Sequence, residues 1–172
     1  IIIYIKYLNN QKTYELNISE KEEILSNSNI LENVEYISKD AKGNQYIIRA
    51  KKGEIDFDNS DIIFLENVRS TIILSNSDVI KIKSDFGKYN TINYDTIFSR
   101  NVTIDYLDNN ITGEYLDFSL VKNRMIISRN IVFTNLENIL KGDVVEINIE
   151  TKDTKIFMYE KEKKVNIKNK KY

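Results

Sequence analysis

The chain of 172 residues has no cysteine, histidine, proline or tryptophan. Without cysteine there is no disulfide framework, and the redox compartment is left open. Without histidine and cysteine, most transition-metal sites and every Ser-His or Cys-His nucleophile are excluded. An excess of charge of one sign is also missing: 25 basic residues oppose 26 acidic ones, for a net charge of −1. No electropositive field exists to hold nucleic acid. Lys168, Lys170 and Lys171 sit in a short basic tail that reads as a solvated end. The one strongly apolar stretch, IIIYIKYL at 1–8, is far short of the roughly 20 residues that cross a bilayer. It fits the end of a membrane anchor, the tail of a signal segment, or a first strand.

What is present is ordinary for a soluble globular protein: 41% hydrophobic and 30% charged residues. The length suffices for one domain with a real core. The distinctive feature is a repeated phrase: ENVEYIS at 32–38, ENVRSTI at 66–72, RNVTIDY at 100–106 and RNIVFTN at 129–135. Val34, Val68, Val102 and Ile131 are separated by 34, 34 and 29 residues, and Val165 in KKVNIK follows another 34 on. Gly53, Gly87, Gly113 and Gly142 keep step, each leading a strand-like segment. From the Asn of the phrase to that Gly the distance is 20, 20, 12 and 12 residues, so the later units are expected to be short by a piece of strand and turn.

Periods of this size mark repeated supersecondary units. Here the apolar pattern inside each unit has the strand period of 2. Ile80 and Ile82 alternate with Lys81 and Lys83, and Val145, Ile147 and Ile149 alternate with Glu146 and Asn148. Ile, Val, Tyr, Phe and Thr dominate, the residues that suit a pleated, half-buried surface. Turn clusters such as AKGN (41–44), DNSD (58–61), SNSD (75–78), NYDT (93–96), DNN (108–110), VKNR (121–124) and TKDT (151–154) separate the strands. About ten strands are expected, mainly antiparallel, arranged as two facing sheets with open ends. SEKEEIL at 19–25, with Ser19 and Glu22 as a capping box, is the only helix candidate.

Candidate chemistry is thin. Asp56, Asp58 and Asp61 resemble the start of a calcium loop, but positions 6 and 12 hold Asp61 and Asn67, not the Gly and Glu such a loop needs. Asp56, Asp85, Asp105 and Asp117 offer no distinct carboxylate pair for glycoside hydrolysis. Recurrent aromatics, among them Phe86, Tyr89, Phe98 and Tyr115, share faces with Ile and Val and read as core.

An apolar N-terminal segment, then DAKGNQYIIRAKKGEI at 40–55 with its Gly43–Tyr46–Ala50 spacing, then units joining Asn-Val/Ile to a Gly-led strand, resemble the lipopolysaccharide transport proteins of the LptC/LptA type, and LptC more closely. The likeness covers about residues 30–168. It implies an all-β, antiparallel stacked-strand β-jellyroll at 31–168, preceded by the end of a membrane anchor (1–8) and a linker with the candidate helix (9–30), and followed by a basic tail (169–172). It implies no catalysis and no cofactor. It also implies a single N-terminal span in the inner membrane, with the domain in the periplasm. The implied partners are lipopolysaccharide, an inner-membrane ABC transporter of the LptB/LptF/LptG kind, and an LptA-like periplasmic jellyroll.

A lipid groove would then be lined by inward-facing Ile55, Phe57, Phe64, Val68, Ile72, Ile80, Ile82, Val102, Ile104, Tyr106, Phe118, Ile127, Ile131 and Phe133. Sheet edges for partners would be Tyr46, Ile47, Ile48, Arg49 and Ala50 toward the transporter, and Val165, Asn166, Ile167 and Lys168 toward the next jellyroll. Three other readings stay open: a periplasmic LptA-like bridge protein, a structural repeat protein with a packed interior, and a carbohydrate-binding β-sandwich.

Overall fold

The computed structural model describes residues 29–160 and 162–170. The expected anchor end, most of the linker and the candidate helix lie outside these residues. Ten strands follow in order: β1 (Ile30–Lys39), β2 (Gln45–Ile55), β3 (Ile62–Ile73), β4 (Val79–Asn90), β5 (Thr96–Tyr106), β6 (Asn109–Ser119), β7 (Arg124–Thr134), β8 (Asn138–Asn148), β9 (Thr154–Phe157) and β10 (Asn166–Asn169). They form one antiparallel sheet in the order β1-β2-β3-β4-β5-β6-β7-β8-β10, with β9 also pairing β8. The two facing layers are therefore the two halves of a single sheet, folded over along a line that crosses every long strand.

The repeated phrase builds that fold line. Asn33, Asn67, Asn101 and Asn130 all have left-handed backbone, with φ of 53°, 56°, 51° and 55°. Asn is among the few residues that adopt this conformation at little cost. Arg100 and Arg129 share it, at 60° and 68°. One left-handed residue in β3 moves the next inward side chain from Leu65 to Val68; two in β5 move it from Phe98 to Val102. The extra residue appears as a register shift where β5 and β7 meet their neighbours, the signature of a β-bulge, which bends a strand.

Glycine completes each corner on the even strands. A Cβ on Gly87 would come within 3.1 Å of Val68, and one on Gly113 within 2.8 Å of Ile131 and 2.9 Å of Ile127. At Gly87 and Gly113 the valine or isoleucine of the phrase thus packs on the inside of the bend, where the backbone opposite must carry no side chain, whereas a Cβ on Gly142 would meet Ile156 of β9 at 2.9 Å.

The later units are not truncated: β5, β6, β7 and β8 have 11 residues each. Their short Asn-to-Gly distance arises because Gly113 and Gly142 pair directly with Val102 and Ile131. Gly53 and Gly87 instead lie on the other side of the bend, paired with Leu31 and Leu65. The β5–β6 turn is also tighter, only Leu107 and Asp108 separating the strands.

The turns close on themselves as their composition implies. Asn90 Oδ1 accepts hydrogen bonds from the amides of Ile92 (2.8 Å) and Asn93 (3.2 Å). Asn148 Oδ1 does the same for Glu150 and Thr151, both at 2.9 Å. In the β1–β2 turn Asp40 is the hub, accepting from the Asn44 side chain, the Lys42 and Asn44 amides and the Tyr46 hydroxyl. Burial works to raise its pKa, but these hydrogen bonds outweigh it and hold the carboxyl below its ordinary value.

Side chains from the two layers meet in one core. Tyr36 of β1 stacks on Tyr89 of β4 with ring centres 4.9 Å apart, and Tyr46 of β2 meets Phe118 of β6 at 5.9 Å. Burial, with Tyr94 and Tyr36 close by, pushes the Tyr89 phenol far above its usual range. These contacts join strands far apart in the sheet, so the layers cross obliquely.

Candidate functional site: an apolar cavity between the layers

Toward the C-terminal strands the core does not fill. A cavity of about 260 Å³ lies between the layers. One wall comes from β4, β5 and β7, through Ile80, Ile104, Tyr106 and Phe133. The other comes from Met125 of β7, Ile147 of β8, Ile149 beyond it, and Ile156 of β9. Leu74, Ile111 and four polar residues, Asn109, Asn148, Lys152 and Thr154, complete it. It falls just below the roughly 300–1,000 Å³ usual for small-molecule pockets.

Polar groups gather at its mouth. Asp78, in the β3–β4 turn, accepts hydrogen bonds from Lys152 Nζ (3.0 Å), the Tyr106 hydroxyl (2.9 Å) and the Asn76 side chain (2.8 Å). The Lys152 contact, then those of Asn76 and Tyr106, hold the Asp78 carboxyl below its ordinary pKa. Contact with Tyr106 and with Asp78 raises that of Lys152. Beside this cluster Lys42 of the β1–β2 turn forms an ion pair with Glu150. Two turns of one layer are thereby tied to the β8–β9 turn of the other.

Of the fourteen expected groove residues, Ile80, Ile104, Tyr106 and Phe133 line the cavity. Val68, Ile72, Ile82, Val102, Phe118, Ile127 and Ile131 are buried in the packed core, and Ile55 packs against it. Phe57 and Phe64 do not face inward. Phe57 lies in the β2–β3 turn and is 84% exposed; Phe64 is 45% exposed, on the outer surface with Lys88 over its ring. The reason is the corner at Asn67: strict alternation puts Phe64 and Val68 on one face, and the left-handed residue between them reverses it.

The expected edge at Tyr46–Ala50 is also corrected. These residues are in β2, hydrogen-bonded between β1 and β3, and among the described residues the edge strand is β1. Asn166, Ile167 and Lys168 do lie at the opposite edge, in β10, with Val165 just before it.

Sequence reasoning named none of the opposite wall, Met125, Ile147, Ile149 and Ile156, as groove lining. Ile147 and Ile149 belong to an alternating run and were legible as inward. Ile111 is hidden by the two asparagines before it, and Lys152 reads as a plain turn residue.

The site offers apolar surface with a few polar groups at one end. No group of three His, Cys, Asp or Glu side chains is gathered for a metal among the described residues. No helix among them is long and apolar enough to cross a membrane. The fold and its cavity define a folded-over, open-ended β-jellyroll with an apolar interior. The model of the lipopolysaccharide-assembly, LptC-related family matches residues 1–170, and the chain belongs to that family. Its role lies in lipopolysaccharide transport. Comparison with curated proteins finds no match.

Proposed function

We propose that this protein is a non-enzymatic carrier that receives lipopolysaccharide from an inner-membrane ABC transporter and passes it to an LptA-like periplasmic jellyroll. In this reading a single N-terminal span holds it to the inner membrane and the jellyroll lies in the periplasm. The observation that carries the proposal is the apolar cavity between the layers, reached past a polar mouth. Each methylene removed from water contributes about 0.8 kcal/mol, so one acyl chain gains on the order of 10 kcal/mol. A cavity of about 260 Å³ holds only part of a multi-chain lipid. Fuller occupancy needs the layers to part, which the ties between their turns, Asp78–Lys152 and Lys42–Glu150, would regulate. Transfer between two grooves of equal burial is nearly neutral in free energy, so direction comes from the ATP-driven partner.

The carbohydrate-binding reading has less support. Phe64, Phe86 and Tyr115 on the outer face each lie under a cation: Lys88 at 5.8 Å, Arg100 at 5.2 Å and Arg129 at 5.7 Å. Rings covered in this way offer no open platform for a sugar. The test is a photocrosslinking amino acid placed at Ile104, in the cavity wall, or at Phe64, on the outer face, in cells that make lipopolysaccharide. Capture at 104 and none at 64 is expected. Equal capture at both, or capture at neither in a folded protein, refutes the carrier.

A further inference from the structure

The strand order ends irregularly. β9 and β10 both pair antiparallel with β8 on the edge away from β7. β9 covers Val144 to Ile147 and β10 covers Asn138 to Lys141. Together they are the two halves of a ninth strand, one on each side of the fold line. Val165, the fifth echo of the repeated phrase, opens the second half. Unlike the eight strands before it, this one is interrupted. Between the halves β8 advances three residues, from Val144 to Lys141, while the tail advances nine, from Phe157 to Asn166.

The second half is weakly held. All four residues of β10 are exposed, and Ile167 is 63% exposed. The same half of β1 buries Val34, Tyr36 and Ser38. Beyond its ladder, β10 is fastened by the Lys170 amide to the Glu137 carbonyl (2.8 Å) and by Lys170 Nζ to the Asn135 carbonyl (2.7 Å). A strand with paired backbone and no buried side chain belongs to the part of a fold that opens most readily.

Strand parity gives this looseness a meaning. β1 to β8 alternate in direction, and eight is even. A second jellyroll stacked in the same orientation, and opening with a strand that runs as β1 does, meets β8 antiparallel. β10 already sits on β8 in that sense. The surplus residues at the break also prevent a partner strand from pairing continuously along the outer edges of β9 and β10.

We propose that β10 is a displaceable cap on the β8 edge, released when the edge strand of a following antiparallel jellyroll takes its place. The cap rests on the bridging reading above and adds a control to it: the Asn138–Lys141 stretch of the C-terminal edge opens only by exchange. Such a device keeps the Asn138–Lys141 stretch of the β8 edge from pairing at random.

The test exploits the absence of native cysteine. Leu140→Cys with Ile167→Cys places cysteines at paired positions, so oxidation staples β10 to β8. A second variant, Ile167→Pro, loosens the pairing without touching the core. Affinity for a purified LptA-like jellyroll protein is measured with the full chain, oxidised and reduced. The oxidised staple is expected to weaken binding at least tenfold, with recovery on reduction, and Ile167→Pro is expected to strengthen it. Equal affinity in all three states overturns the cap and leaves the bridge standing. No binding by the reduced protein or by Ile167→Pro overturns the bridge and the exchange with it. Hydrogen exchange reads the cap without any partner: β10 amides should exchange at least a hundredfold faster than those of β6 and β7, and equal protection refutes a displaceable strand.

Discussion

Replacing Gly113 by Ala tests whether the fold line is a packed corner. The new Cβ would lie 2.8 Å from Ile131 Cδ1 and 2.9 Å from Ile127 Cγ2. Ile131 can move a chain end, but Ile127 is 0% exposed, and its Cγ2 sits on a β-branched carbon with little rotamer freedom. Overpacking of this kind costs about 1–3 kcal/mol. Against it stands a gain of roughly 0.4–1 kcal/mol, because alanine restricts the unfolded chain. The net expectation is a loss of about 1–2 kcal/mol. With a urea m-value of about 1–3 kcal/mol/M, the midpoint falls by roughly 0.5–1 M at unchanged slope. Tyrosine fluorescence is the natural signal, since the chain has 11 tyrosines and no tryptophan. Gly53→Ala is the control: its Cβ meets Val34 at 3.3 Å, a contact that a few tenths of an ångström relieve, and its cost should stay below about 0.5 kcal/mol. Adding Ile131→Val to Gly113→Ala removes Cδ1, so the pair should cost less than the sum of the singles by about 0.5 kcal/mol or more. A Gly113→Ala protein as stable as the parent, or a Gly53→Ala protein equally damaged, would refute the corner.

Asn101→Ala should cost about 1 kcal/mol, because alanine resists the left-handed backbone at φ 51°, while Asn101→Gly should stay close to the parent in the same urea titration. Asp40 has a depressed folded pKa, so its stabilisation is complete above the ordinary carboxylate range near 4 and is lost as pH falls through the folded value. Asp40→Asn should therefore flatten the acid limb of stability against pH below about 4, and an unchanged acid limb would show that the hydrogen bonds of the β1–β2 turn do not discriminate the charged form. Asp78→Asn removes one partner of a solvent-accessible ion pair and should leave the unfolding midpoint unmoved while speeding amide exchange in the β8–β9 turn, most visibly at low salt; a lowered midpoint would make the tie a global contact rather than a local one.

The repeat could be read as strands and counted because its cause is local. Asn in the left-handed region, a β-branched residue after it, and a glycine opposite are needed wherever the sheet bends, so the phrase recurs at each odd strand. What could not be read was the effect of the bend on facing. A period of 2 predicts inwardness only while the backbone stays extended, and each corner shifts the count by one residue or two. Phe64 was lost to that shift, while Ile80 and Ile82, both before the corner of β4, were placed correctly. Edges were illegible for a different reason. Whether Tyr46–Ala50 borders solvent or another strand depends on whether β1 folds back beside it, a pairing that β1's half-apolar sequence permits without announcing.

The cavity follows from the same rule. Where the wall residues are contributed by a split ninth strand, the regular packing of layer on layer has no further strand to supply its next side chain. The gap opens beside β9, where Ile156 is the last apolar residue that the sheet delivers to it. An interior that must repeat from layer to layer is thus closed by packing at its start and left unfilled at its end, on the side where a stacked second jellyroll would continue it.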